Sequence, residues 1–149
     1  MTQEQKDLLI KDLCSRLTHG VKCKILETNE VKILGCIQYD GENTLFDFWE
    51  DDQKIQYGHQ LYLSEFKPCL FPLSSMTDEL WDKEFRGYCI TEFTRDSFKY
   101  GCETLEFYDG NPVLSDINGF INSLIKNHFD IYGLIPMGLA DDATELNIY

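Results

Sequence analysis

Two prolines four residues apart, in Glu65-Phe66-Lys67-Pro68-Cys69-Leu70-Phe71-Pro72-Leu73-Ser74-Ser75-Met76, constrain this chain more than any other stretch. Each removes a backbone donor and biases the residue before it, Lys67 or Phe71, towards extended backbone. The stretch is therefore expected to be neither helix nor central strand, but an extended run along a sheet edge. Strand-like sequence precedes it and mostly helix-like sequence follows. It reads as a hinge, residues 68–76, between parts 1–67 and 77–149 of one compact 149-residue domain. Its apolar residues Phe66, Leu70, Phe71 and Leu73 are too many to leave in water and are expected to pack one part onto the other.

Before the hinge, Thr2 and Gln5 form a capping-box pair ahead of a stripe at helical spacing, Leu9, Leu13 and Leu17 with Ile10 and Cys14. The helix is expected to end near Gly20, with Arg16 and His19 complementing its dipole. From Val21 the period changes to two. Runs at Val21–Ile25, Ile33–Ile37, Leu45–Trp49 and Leu61–Leu63 read as short strands, joined by turn chemistry at Asn29-Glu30, Asp40-Gly41-Glu42-Asn43 and Asp51-Asp52-Gln53-Lys54. So many short strands are expected to curl into a small antiparallel sheet or a barrel of the Src-homology-3-like kind. After the hinge, Thr77, Asp78 and Glu79 suit a helix start, with Leu80, Trp81, Phe85, Tyr88 and Cys89 as its stripe. Residues 90–107 read as one or two strands closed by a turn at Asp109-Gly110-Asn111-Pro112. A helix capped by Ser115 follows, and a tail from Asp130 is expected to dock as an irregular segment. The fold class is therefore α+β.

Composition bounds the function. The chain is 43% hydrophobic, enough for a real core, and its net charge of −13 is concentrated after the hinge. Residues 1–75 carry eight Lys and Arg against twelve Asp and Glu, and residues 76–149 carry five against fourteen. That balance repels phosphate backbones and disfavours direct nucleic-acid binding, while suiting a basic protein partner. Cysteines at 14, 23, 36, 69, 89 and 102 show no CxxC spacing. With no apolar leader in Met-Thr-Gln-Glu-Gln-Lys-Asp, they read as reduced thiols in a cytoplasmic protein, mostly core filler. The longest uncharged runs, Pro68–Thr77 and Ile131–Ala140, are ten residues each and too short to span a membrane.

Three blocks carry a resemblance. They are Lys11-Asp12-Leu13-Cys14-Ser15-Arg16-Leu17 with Gly20-Val21-Lys22-Cys23; Phe66-Lys67-Pro68 with Leu70-Phe71-Pro72-Leu73-Ser74-Ser75-Met76-Thr77; and His128-Phe129-Asp130 with Tyr132-Gly133-Leu134-Ile135-Pro136-Met137-Gly138-Leu139-Ala140. Together they resemble a family of short proteins of gut anaerobic bacteria and their phages and mobile elements. The resemblance implies a bacterial or phage cytoplasmic setting, and no activity, fold or site residue. Residues 28–60 and 93–113 depart from it.

Candidate chemistry is sparse. His128 and Asp130 flank Phe129 and would share a face if extended, as an imidazole oriented by a carboxylate requires. The structural alternative is that His128 finishes a helix while Asp130 begins a turn. Glu50-Asp51-Asp52 and Asp141, Asp142 and Glu145 read as solvated charge, without the spacing of a metal loop. No phosphate-binding loop, nucleophile elbow or zinc motif is present, so no catalytic, cofactor or metal residue is assigned. Aromatic residues offer more, because Tyr and Trp make large contacts at low entropic cost. The expected interaction site comprises Trp49, Tyr57, Tyr62, His128, Asp130 and Tyr132. The expected function is a non-catalytic interaction protein of phage or mobile-element type, acting by protein–protein contact, with an acidic inhibitor or nucleic-acid mimic as one form. The alternatives are a small hydrolase-like enzyme using His128 and Asp130, and a barrel binding nucleic acid through Lys22, Lys24, Lys32, Lys54 and Lys67.

Overall fold

The structure, a computed structural model, describes residues 1–41, 43–49, 60–88 and 116–149. Helix α1, Gln3–Arg16, begins with the expected box: Thr2 Oγ1 accepts from Gln5 N, and Gln5 Oε1 accepts from Thr2 N. Its buried residues, Leu9, Asp12, Leu13 and Arg16, follow a three-to-four residue rhythm that keeps one stripe inward. A 3₁₀ turn, Leu17–His19, and Gly20 at φ 68° end it; the left-handed conformation is one that glycine adopts without steric cost.

Strands β1 (Lys22–Ile25), β2 (Val31–Tyr39), β3 (Thr44–Trp49), β4 (Phe66–Leu70) and β5 (Asp141–Asp142) form, among the described residues, one open sheet in the order β3-β2-β1-β4-β5. It is antiparallel except for β5, which runs parallel to β4. The fold is thus α+β as expected, but the sheet does not close into a barrel. Leu61 adds only an isolated bridge to Phe46 at the β3 edge.

The hinge also departs from expectation, since β4 is flanked on both sides. Pro68 is accommodated because it sits opposite Cys23 on the β1 side, while β5 begins pairing only at Cys69. No ladder donor is needed at the proline. Pro72 then leads into a 3₁₀ turn, Leu73–Ser75.

Beyond it, helix α2 (Asp78–Glu84) is capped by Thr77, whose side chain accepts from Leu80 N. A 3₁₀ turn, Arg86–Tyr88, follows. Helix α3 (Ile117–Lys126) is capped by Asp116, one residue on from the expected Ser115. The strands and turn expected over 90–112, the Glu50–Asp52 run, Lys54 and Ser115 lie outside the described residues.

Two apolar clusters divide the chain. In the first, Leu9 and Leu13 of α1 pack with Val21, Cys23, Leu34, Phe46, Phe66 and Leu70 of the sheet and Leu134 and Leu139 of the tail. In the second, Met76, Trp81, Phe85, Phe120, Leu124 and Phe129 pack together with Phe71 and Leu73. The hinge side chains therefore split, Phe66 and Leu70 into one cluster and Phe71 and Leu73 into the other. Among the described residues no helix is long and apolar enough to cross a membrane.

Candidate functional site

The carboxyl end of α3 concentrates the unusual chemistry. Its last turn closes by two reversed bonds: His128 N donates to Ile125 O and Phe129 N donates to Leu124 O, each at 3.0 Å. His128 occupies the left-handed position of this cap, φ 59°, where glycine is the usual residue. Its backbone and that of Asp130 then bracket the hinge, with Phe71 N donating to His128 O and Asp130 N to Phe71 O. Phe71 and Phe129 are bridge partners as a result.

The His128 ring is 7% exposed and lies against the ring of Tyr149, with centroids 4.2 Å apart and planes 19° apart. Burial, and then the positive charges of Arg16, His19 and Lys22, push its pKa down to about 4, against a hydrogen bond to the His19 backbone. The ring is neutral at pH 7. Nδ1 of the ring is buried and has no hydrogen-bond partner among the described residues. Tyr149 is pinned by its hydroxyl, which accepts from Lys22 N at 2.8 Å and donates to Cys69 O at 3.0 Å. Burial raises that phenol's pKa, and the Cys69 thiol is pushed up to about 11, also chiefly by burial. Neither is poised to ionise at neutral pH.

Asp130 is not the orienting partner of His128. It is 6% exposed, and its two oxygens accept from Leu134 N and Ile135 N, each at 2.8 Å, fixing the turn that starts the tail. An oxygen so engaged organises backbone and has no imidazole to orient. Beside it, Arg16 and Asp12 are both fully buried. Arg16 donates twice to Asp12, and also to Ile125 O and Phe129 O. Their i, i+4 spacing on the Leu9–Leu13 stripe was the signal that they face inward, although Arg16 reads from sequence as a helix-end charge.

A cavity of about 440 Å³ opens next to these residues, walled by Phe71, Leu80, Phe129 and Tyr149 and lined by polar Ser75, Asn127 and His128. Among the described residues no group of three or more His, Cys, Asp or Glu converges as metal ligands.

The remaining expected contact residues lie elsewhere. Tyr132 is half-buried against the first cluster, with Lys11 Nζ 5.1 Å from its ring. Trp49 is 40% exposed and Tyr62 49% exposed near β3. Tyr57 is outside the described residues. Because β3 and the Phe71–Phe129 bridge lie on opposite sides of the sheet, about four strand spacings or ~19 Å separate them, and the set forms no single surface. The lysines divide as well. Lys22, Lys24 and Lys67 share the sheet face turned away from α1, where Lys24 and Lys67 each reach Asp141 at 3.8 Å. Lys32 pairs with Cys23 and belongs to the opposite face.

No family model matches this chain, and searches of curated proteins and of solved structures return no significant match.

Proposed function

We propose that this chain is a non-catalytic interaction protein that works by protein–protein contact in the phage or mobile-element setting that its sequence blocks resemble. The observation that carries this reading is Trp49. Its indole lies across Gly35 on the outer face of the sheet, where a Cβ at residue 35 would collide with Nε1. It pairs with Ile33 and is still 40% exposed. A large amphipathic ring seated on glycine and open to solvent has the character of an interface anchor. The catalytic alternative gains little support, because the Asp130 oxygens and the Asp12–Arg16 pair are committed to backbone and to each other.

Charge favours a basic partner. The net charge is −13, and α2 exposes Asp78, Glu79 and Asp82 along one short helix. Affinity capture of the tagged protein from host lysate at low and high salt, with mass spectrometry, tests the reading. A defined basic protein released by salt is the expected result; an empty capture together with turnover of a small-molecule substrate would overturn it.

A further inference from the structure

We propose that the cavity between the hinge and the end of α3 is a binding site for a small carboxylate with an apolar aromatic body. The charge of its lining carries this. The chain has 26 Asp and Glu against 13 Lys and Arg, yet among the described residues the cavity wall contains one charged side chain, Lys126, and no carboxylate. The lining is also graded in depth. Phe129 is buried, Phe71 and Leu80 are half-buried, and Lys126 and Thr77 are exposed. An apolar floor below a cationic mouth suits a ligand that buries its body and keeps its charge at the rim.

Three lining groups have protons to give. Asn127 Nδ2 donates one of its two to Ser123 O, which leaves the other. Thr77 Oγ1 accepts from Leu80 N, a bond that does not use its own hydroxyl proton. Lys126 Nζ lies 3.7 Å from Glu84 Oε2, too far for a hydrogen bond, and the other Glu84 oxygen faces Lys83 at 3.6 Å. Glu84 is thus shared between two lysines, and the Lys126 ammonium keeps its protons for a ligand. Open carbonyls at a helix end would oppose an anion, but those of Ser123, Leu124 and Ile125 each accept a backbone hydrogen bond already. At about 440 Å³ the cavity is within the size range of small-molecule sites. Tyr149 keeps its stack and both its hydrogen bonds, because the ligand body rests against the wall that its ring forms with Phe71 and Phe129. This site is on the opposite side of the sheet from Trp49, and it stands whether or not Trp49 anchors a partner.

3-Phenylpropionate and its amide test it, having the same body and nearly the same shape with and without the charge. Titrated into the wild-type protein at low salt and followed by NMR, the acid should bind saturably and shift the Phe71 and Tyr149 ring signals. The amide should bind at least about threefold more weakly, the scale of a partly exposed ion pair. Acetate, which has no body to bury, should not compete at equal concentration. Lys126→Met should bind acid and amide equally, and Leu80→Trp should fill the cavity and abolish binding of both. Absence of saturable acid binding, equal binding of the two probes, or displacement by acetate in the wild type would overturn the proposal whatever the variants do. A folded Lys126→Met protein that still prefers the acid, or a folded Leu80→Trp protein that binds it undiminished, would also overturn it.

Discussion

Arg16 and Asp12, one turn apart on α1, are joined by two bonds of 2.8 Å, and both side chains are fully buried. Arg16 also holds Phe129 O at 2.6 Å and Ile125 O at 3.2 Å, so one guanidinium ties the first helix to the end of the last. Burial raises the Asp12 pKa despite Arg16, which marks the pair as costly to desolvate. Its consequence is positional: it fixes where α3 ends relative to α1.

Removing one partner should therefore be severe. Arg16→Met leaves Asp12 and two carbonyls without a donor and should cost about 3–5 kcal/mol in urea unfolding. Adding Asp12→Leu to it should recover a large part of that loss, because no uncompensated charge then remains. A single variant as stable as wild type would contradict this role.

Acid should weaken the fold through His128. Its folded pKa, about 4, lies below the usual 6.5, so the unfolded chain takes up a proton that the native ring refuses. Above pH 6.5 both states are neutral and the ring contributes no pH dependence. Between pH 6.5 and 4 stability should fall by up to about 3 kcal/mol, and below that window the effect is complete. His128→Asn, which tolerates the left-handed backbone, should lose this part of the slope when unfolding is followed across the same range.

The turn after α3 depends on Asp130. In Asp130→Asn an amide donor replaces one oxygen and faces a backbone N–H at Leu134 or Ile135. A loss of about 1–3 kcal/mol is expected in thermal or urea melts, with hydrogen exchange at those two amides accelerated.

Gly35→Ala should dislodge Trp49, since the added Cβ meets the indole. Trp81 is only 5% exposed, so a red shift in the fluorescence of the folded protein would report Trp49 moving into water. An unchanged spectrum would mean that the two residues are not in contact.

Local signals were legible in the sequence, and distant partners were not. The Thr2–Gln5 box, the Leu9–Leu13 stripe and the alternation at Val21–Ile25 and Leu45–Trp49 are local, and each became the expected element. Pro68 argued for an edge because a sequence does not display how short β5 is or where its pairing starts. Asp141 and Asp142 read as solvated tail charge, yet they form β5, and Asp141 lies between Lys24 and Lys67. Two acidic residues carry no strand signal of their own, and their pairing is set by a strand some seventy residues earlier. His128 and Asp130 could be singled out by spacing. The stack on Tyr149 and the backbone donors at Leu134 and Ile135 follow from a left-handed cap that only the folded chain reveals.

Partner binding by the Trp49→Ala protein tests the functional account most directly. With the protein recovered by affinity capture as titrant, wild type should bind and Trp49→Ala should bind at least about tenfold more weakly, as expected for a contact anchor, with its unfolding transition retained. Equal affinity of the two proteins for that partner would contradict the account.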